Sequence, residues 1–209
     1  MASELCMNCF SVKGQYEVCP YCGYVEGTPP EHPQYLTPGT ILANHFIVGT
    51  AIDMGGFGIT YRCYDTTLGI AVAVKEFFPA GLVNRAPGES VVGLLSGDKQ
   101  QQYRVELKRF LMEAQSIAQF GKAKDIVNVY AFFENNTAYI IMEYIDGVLL
   151  KDYLEKQGKM EPQVALHIID LIINAVKKIH SKGIIHRDIS PDNIFISSED
   201  AIKVFDFGA

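Results

Sequence analysis

Apolar and polar positions change rhythm along this chain. From residue 45, short runs of β-branched and aromatic residues recur between turn signals: Phe46-Ile47-Val48, Gly58 to Tyr64 and Ile70 to Lys75. Such runs predict strands. Between 105 and 120, Leu107, Phe110, Leu111, Ala114, Ile117 and Ala118 recur at intervals of three and four, which predicts an amphipathic helix. Val127 to Phe133 and Ala138 to Tyr144 read as two further strands, with Glu134-Asn135-Asn136-Thr137 as their hairpin turn. From 148 the pattern is helical, and a long helix opened by Pro162 runs to His180. It is apolar on most of its faces, so it is expected to be buried. Ahead of all this, Pro29, Pro30, Pro33 and Pro38 favour extended backbone and mark a linker. The order is five strands with one inserted helix, then helices.

Composition narrows the class. The 209 residues are 48% hydrophobic and 20% charged, which suits a folded chain rather than a disordered one. A net charge of −6 gives no overall attraction to nucleic acid or to an anionic membrane. No apolar stretch approaches the roughly 20 residues of a membrane span. The opening Met1-Ala2-Ser3-Glu4-Leu5-Cys6 has neither the basic region nor the apolar run of a signal peptide. The expectation is a cytoplasmic protein with no membrane segment in this stretch and no nucleic-acid partner.

Four of the five cysteines form Cys6-x-x-Cys9 and Cys19-x-x-Cys22, and Cys63 stands alone in a predicted strand. Two intervening residues let one tight turn aim both sulfurs at one ion, and two such knuckles complete a tetrahedral thiolate site. Cys19-Pro20-Tyr21-Cys22-Gly23 adds a Pro to set the turn and a Gly where amides crowd the sulfur. The segment resembles a zinc ribbon of the rubredoxin-knuckle type. Two disulfides or four idle thiols are the competing readings, and disulfides fit poorly with a cytosolic chain. A module of about 20 residues has too small a core to fold alone, so zinc is expected to supply its stability. Cys63 reads as a small, half-buried side chain.

Motifs carrying chemistry follow in order. Ile52-Asp53-Met54-Gly55-Gly56-Phe57-Gly58-Ile59-Thr60-Tyr61 is a glycine-rich strand-turn-strand, which brings backbone amides to phosphate oxygens that a Cβ would hold off. Val72-Ala73-Val74-Lys75 places a lysine in an apolar strand, and Glu113 lies on the predicted helix. His186-Arg187-Asp188-Ile189-Ser190-Pro191-Asp192-Asn193 and Asp206-Phe207-Gly208 supply an Asp and an Asn five apart and then a second Asp. Phosphoryl transfer uses that set as a base and metal ligands.

On these motifs the chain resembles the protein kinase family over about residues 41–209, and in particular a bacterial branch of serine/threonine kinases. The resemblance implies an α+β, protein-kinase-like fold: a five-stranded antiparallel small lobe plus a helix, and a partial helical large lobe, preceded by the small zinc ribbon. The expected domains are the ribbon (1–27), a Pro-rich linker (28–40), the small lobe and hinge (41–145) and an incomplete large lobe (146–209). It implies ATP and Mg2+ as cofactors, beside Zn2+ in the ribbon. Asp188 is then the base, Lys75 the phosphate-contacting lysine and Glu113 its helix partner, with Glu106 a weaker alternative. Asn193 and Asp206 are the magnesium ligands. The nucleotide would touch Ile52, Gly55, Gly56, Phe57, Gly58, Thr60, Ala73, Lys75, Met142 as gatekeeper, the Glu143 and Ile145 backbone, and Phe195.

The chain departs from the family at Asp53, where the first glycine is usual, and at Ser190, where serine/threonine kinases usually carry lysine. The connection from Lys75 to Glu113 is also longer, enough for an extra loop or hairpin. The expected function is ATP-dependent phosphorylation of protein Ser/Thr hydroxyls. The alternatives are a pseudokinase scaffold and a small-molecule phosphotransferase. A protein substrate is the implied partner, and a protein partner for the ribbon stays open. The chain stops at Ala209 beside its last motif, and the expectation is a C-terminally truncated fragment that is itself inactive, its long apolar helix keeping an exposed face.

Overall fold

The computed structural model describes residues 4–95, 99–121, 123–197 and 201–207, so Gly208 and Ala209 lie outside the described residues. Two compact units divide the chain. One holds the residues up to Leu111 together with Ala131–Tyr144, and the other holds Met112–Tyr130 and the residues from Ile145 on.

One sheet, in the first unit except for the start of β7, is formed by β1 (Ile41–Leu42), β2 (Phe46–Met54), β3 (Gly58–Asp65), β4 (Ile70–Phe77), β7 (Val129–Asn135) and β8 (Thr137–Glu143) in the order β1-β2-β3-β4-β8-β7. The paired strands β1 to β4 and β8 run antiparallel. The short β1 is added to the five expected strands. The hairpin between β7 and β8 turns on Asn136, at φ 64°, which Asn tolerates better than most residues. The core face carries Ile59, Tyr61, Cys63, Val72, Val74, Tyr139 and Ile141, each buried. Cys63 is thus fully rather than half buried, and burial pushes its thiol well up.

Between β4 and the helix lies a small hairpin, β5 (Val83–Asn84) with β6 (Gly93–Leu94). Helix α1 spans Lys99–Ala118 and starts earlier than the periodicity predicts, because Tyr103 joins the apolar face. Its ring lies 5.3 Å from Phe77, and Phe110 lies 5.1 Å from the same ring.

The second unit contains β9 (Gly147–Leu149), β10 (Ile194–Ser197) and β11 (Ile202–Val204) in the order β11-β10-β9, with α2 (Leu150–Gln157) and α3 (Pro162–Ser181). The helical pattern read from 148 is therefore corrected at its start: Gly147–Leu149 is a strand against β10. A Cβ at Gly147 would meet the Ile196 carbonyl oxygen at 2.2 Å, so only glycine admits this backbone approach. Helix α3 is not buried all round and keeps the exposed face expected for this chain. Ala175 and Ile179 are buried, whereas Val164, Leu166, Ile169 and Ile173 are exposed, because among the described residues nothing covers that face.

Candidate nucleotide site and cysteine cluster

The register of the first unit's sheet decides which side chains share a face. Thr60 pairs with Lys75, Lys75 with Ile140, and Ala73 with both Arg62 and Met142. Residues opposite one another in a ladder point to the same side, so Thr60, Ala73, Lys75 and Met142 line one face. Glu76, one residue on from Lys75, points into the other. Lys75 is half-buried, and Glu143 closes β8 opposite Val72.

The glycine-rich turn is pinned at both ends. Gly55 N–H donates to the Gly58 carbonyl at 2.9 Å, Phe78 N–H to Phe57 at 3.0 Å, and Ala80 N–H to Gly56 at 2.9 Å. Gly58 is required by packing, since a Cβ there would lie 2.4 Å from the Glu76 carbonyl oxygen. Gly55 and Gly56 are different: a Cβ on either meets nothing within 4 Å. Their bareness leaves room for a group outside the chain. Ile52 and Phe57 flank them, both exposed. Asp53 pairs with Thr60 beside a register shift at Ala51/Asp53 and does not take a positive φ. The missing glycine therefore leaves an irregular ladder without backbone strain.

Asp188 and Asn193 meet in the second unit. The Asn193 side-chain amide donates to the Asp188 carboxylate at 2.7 Å and to its carbonyl at 3.0 Å. A 3-10 turn over Pro191–Asn193 sets that geometry, and Asn193 N–H donates to the Ser190 carbonyl at 3.0 Å. The Asn193 carbonyl in turn accepts from Phe205 N–H at 3.1 Å, which ties this loop to the residue before Asp206. Arg187 and Asp206 both hold positive φ, 70° and 61°, a strain that persists only where the surroundings fix it. Lys151 reaches Asp192 at 2.7 Å.

His186 organises the loop from below. It is 1% exposed, its Nε2 lies 3.0 Å from the Phe205 carbonyl, and Nδ1 accepts from Asp188 N–H at 3.3 Å. These partners assign the neutral tautomer with the proton on Nε2. Burial lowers its pKa below the ordinary value, against the bond to Phe205. The Phe207 ring, 2% exposed, sits 4.7 Å from His186 and 5.8 Å from Phe120. Phe195 lies on β10, 5.1 Å from Phe205. Glu113 is half-buried on the part of α1 in the second unit, and Ile145 begins that unit's later segment. Glu106 pairs instead with Arg109, at 3.1 Å.

Two small hairpins, closed by bridges Leu5/Val12 and Val18/Val25, carry the cysteine knuckles. Their four sulfurs lie within 4.8 Å of one another, with Cys6–Cys22 at 3.5 Å and Cys9–Cys19 at 3.7 Å. All five cysteines are free thiols. A tetrahedron of sulfurs about 2.3 Å from zinc has edges of about 3.8 Å, so the cluster fits a metal and not two disulfides. Burial pushes Cys6 up to about 12, whereas Cys9 is brought down to about 6, against burial, by hydrogen bonds from Ser11. Lys13 joins the hairpins by an ion pair to Glu26 at 2.5 Å.

Sequence reasoning missed a buried polar network. Glu76 and Arg85 form an ion pair with both side chains fully buried. Tyr61 and Tyr139 donate to the Glu76 carboxylate at 3.1 and 2.9 Å. Arg85 also donates to the Gln34 carbonyl at 2.8 Å, and Leu36 N–H to the Tyr61 hydroxyl at 3.0 Å. The only signal in the sequence was Glu76 itself, a second charge after Lys75 in an otherwise apolar strand.

No helix among the described residues is long and apolar enough to cross a membrane. The protein kinase domain profile matches residues 46–209. A probable serine/threonine-protein kinase of Clostridium acetobutylicum is 33% identical over 175 residues, covering 81% of this chain and 23% of that protein. The serine/threonine-protein kinase PknB of Mycobacterium tuberculosis is 34% identical over 178 residues, covering 83% and 25%. PrkC of Bacillus subtilis, also a serine/threonine-protein kinase, is 41% identical over 103 residues, covering 49% and 16%. A solved structure, the apo form of PpkA-294, superposes with a TM-score of 0.77 at 32% identity, covering 84% of this chain and 62% of that one. The chain spans about a quarter or less of these curated relatives' length. By fold, by motif and by these similarities, it belongs to the protein kinase family.

Proposed function

We propose that the protein transfers the γ-phosphate of ATP to Ser or Thr hydroxyls of protein substrates. The observation that carries this reading is the hydrogen-bonded pair of Asp188 and Asn193, linked through Phe205 to Asp206. Asp188, exposed at the loop surface, orients the attacking hydroxyl and accepts its proton. The Asn193 amide nitrogen is committed to Asp188, which turns its carboxamide oxygen elsewhere as a hard-cation ligand. Asn193 and Asp206 would hold magnesium, which neutralises charge on the phosphates. Lys75 serves the α- and β-phosphates with Glu113 as its ion partner. The open backbone at Gly55 and Gly56 takes the phosphates, Thr60, Ala73 and Met142 face the base, and Glu143 and Ile145 offer it backbone groups, with Phe195 on its other side. In the N-terminal segment Cys6, Cys9, Cys19 and Cys22 hold one zinc ion.

The test is phosphate transfer by the gene's complete product with Mg-ATP, with and without Asp188→Asn. Transfer to Ser or Thr that falls at least about a hundredfold in the variant supports the reading, the range expected for a lost general base. A wild-type protein that binds nucleotide and transfers nothing would favour the scaffold alternative, with Ser190 and Asp53 the residues to restore first.

A further inference from the structure

The cysteine cluster is joined to the sheet that carries the glycine-rich turn, and the joint has unusual chemistry. The two knuckles repeat one backbone pattern: the fourth residue after the first cysteine donates its N–H back to that cysteine's carbonyl. These bonds are Phe10 to Cys6 and Gly23 to Cys19, both 2.9 Å. Both residues hold positive φ, 58° and 74°. In the second knuckle the residue is glycine, for which this is unstrained. In the first it is a bulky phenylalanine, whose presence there needs a compensating interaction.

That interaction lies on the sheet. Phe10 is 7% exposed and its ring is 5.5 Å from Tyr64 of β3. Gly49 of β2 is bare beneath it: a Cβ would lie 2.8 Å from the Phe10 ring and 2.5 Å from the Met7 carbonyl oxygen. The β2–β3 register shifts between Val48 and Ala51, where the knuckle sits. Asn8 then bridges cluster and strand. Its backbone N–H lies 3.4 Å from Cys6 Sγ, its side-chain Nδ2 3.6 Å from Cys22 Sγ, and its side-chain Oδ1 accepts from the Thr50 hydroxyl at 2.9 Å. On the other side Arg62 donates to the Cys9 carbonyl at 3.4 Å and lays its guanidinium 4.4 Å over the Tyr144 ring. Thr50 leads directly into Ile52 and the glycine-rich turn, and Tyr144 directly follows Met142 and Glu143.

We propose that the cysteine cluster is a metal-dependent brace of the nucleotide-binding sheet: the loaded ribbon fixes β2 and the Tyr144 segment through Asn8, Phe10 and Arg62, so metal occupancy and nucleotide affinity are coupled. This rests on reading the cysteines as a metal site and the sheet as a nucleotide site. A segment this short holds its shape through its metal, so metal loss releases Asn8 and Phe10 from their positions. Coupling of two binding equilibria is reciprocal, so loosening the joint from the sheet side must also loosen the metal. A ribbon that merely recognised a partner at the end of a tether would show neither effect.

The experiment uses the complete zinc-loaded protein and three readouts: hydrogen exchange of residues 46–54, the dissociation constant for ATP, and the rate of zinc transfer to a chelator. Phe10→Gly gives the first knuckle the residue the second already has, so it keeps zinc and removes the docking ring. Cys19→Ser removes the metal. Both should raise exchange in 46–54 and weaken ATP about tenfold, within the range of ordinary allosteric couplings. Tyr16→Ala, on the exposed side of the ribbon, should change neither. Arg62→Met and Thr50→Val, with all four cysteines intact, should speed zinc transfer severalfold. Should Phe10→Gly itself lose zinc, these two variants decide the matter alone. Unchanged exchange in Cys19→Ser, or unchanged zinc transfer in both sheet variants, overturns the brace. If no form binds ATP, the proposed function fails, while exchange and zinc transfer still decide the coupling.

Discussion

Asn193 holds the Asp188 carboxylate with its side-chain amide at 2.7 Å, so the orientation of the proposed base is set by a residue five positions later. Replacing that donor by an acceptor reverses the interaction without changing side-chain size. Asn193→Asp is expected to abolish phosphate transfer and to cost about 1.5–3 kcal/mol of stability, the range for a hydrogen bond to a charged group. Denaturant unfolding beside the transfer assay checks both. Full stability with lost transfer would assign Asn193 to metal binding alone.

The buried pair of Glu76 and Arg85 gives a second prediction. Removing one partner strands a charge in the core, which costs about 3–5 kcal/mol. Arg85→Met is expected to lose this much, whereas Glu76→Gln combined with Arg85→Met should recover a large part of it. Urea denaturation of both variants makes the comparison, and equal losses in the two would show that packing rather than charge governs the site.

His186 predicts an acid limit. Its folded-state pKa is lowered by burial, so below its ordinary value the unfolded chain binds the extra proton and the folded one does not. Stability is full above about pH 6.5 and falls as the pH drops toward the lowered value, by at most about 1.4 kcal/mol per pH unit for one proton. Protonation would also leave the Asp188 N–H without its acceptor. Unfolding measured from pH 7 downward should show this slope in the wild type, and His186→Gln should flatten it.

The two classes of glycine in the glycine-rich turn separate fold from the proposed binding. Gly58→Ala drives a Cβ into the Glu76 carbonyl and is expected to destabilise by about 1–3 kcal/mol through overpacking. Gly55→Ala meets open space, so it should keep full stability and lose nucleotide affinity. Thermal melts with and without ATP distinguish them.

The residues that were legible in the sequence are those whose role is local. Lys75 in its apolar strand, the glycine run and the Asp188 to Asn193 interval announce themselves through spacing, and long strands such as β3 and β4 show their texture. What stayed hidden depends on chain segments far apart. The two- and three-residue strands β1, β5, β6, β9 and β11 are too short to show any period. Glu76 looked like a conventional charge beside Lys75 until Arg85, Tyr61 and Tyr139 closed around it. Asn8 and Phe10 lie between cysteines or just beyond them, where attention goes to the sulfurs. The composition of α3 taken alone calls for burial all round, but burial depends on what covers a helix, which composition does not report.

The Leu36 N–H that bonds the Tyr61 hydroxyl has a practical consequence for anyone cutting this protein. The kinase profile begins at residue 46, and an expression boundary placed there would look natural. It would discard Leu36, 1% exposed, together with the Gln34 carbonyl that Arg85 holds. The Tyr61–Glu76–Arg85 network would then open to solvent on that side. A shortened protein made to this boundary would show poor solubility or a lowered melting temperature, and that outcome would say nothing about catalysis. The functional start of the folded lobe lies upstream of the family's start, within the proline-bearing segment.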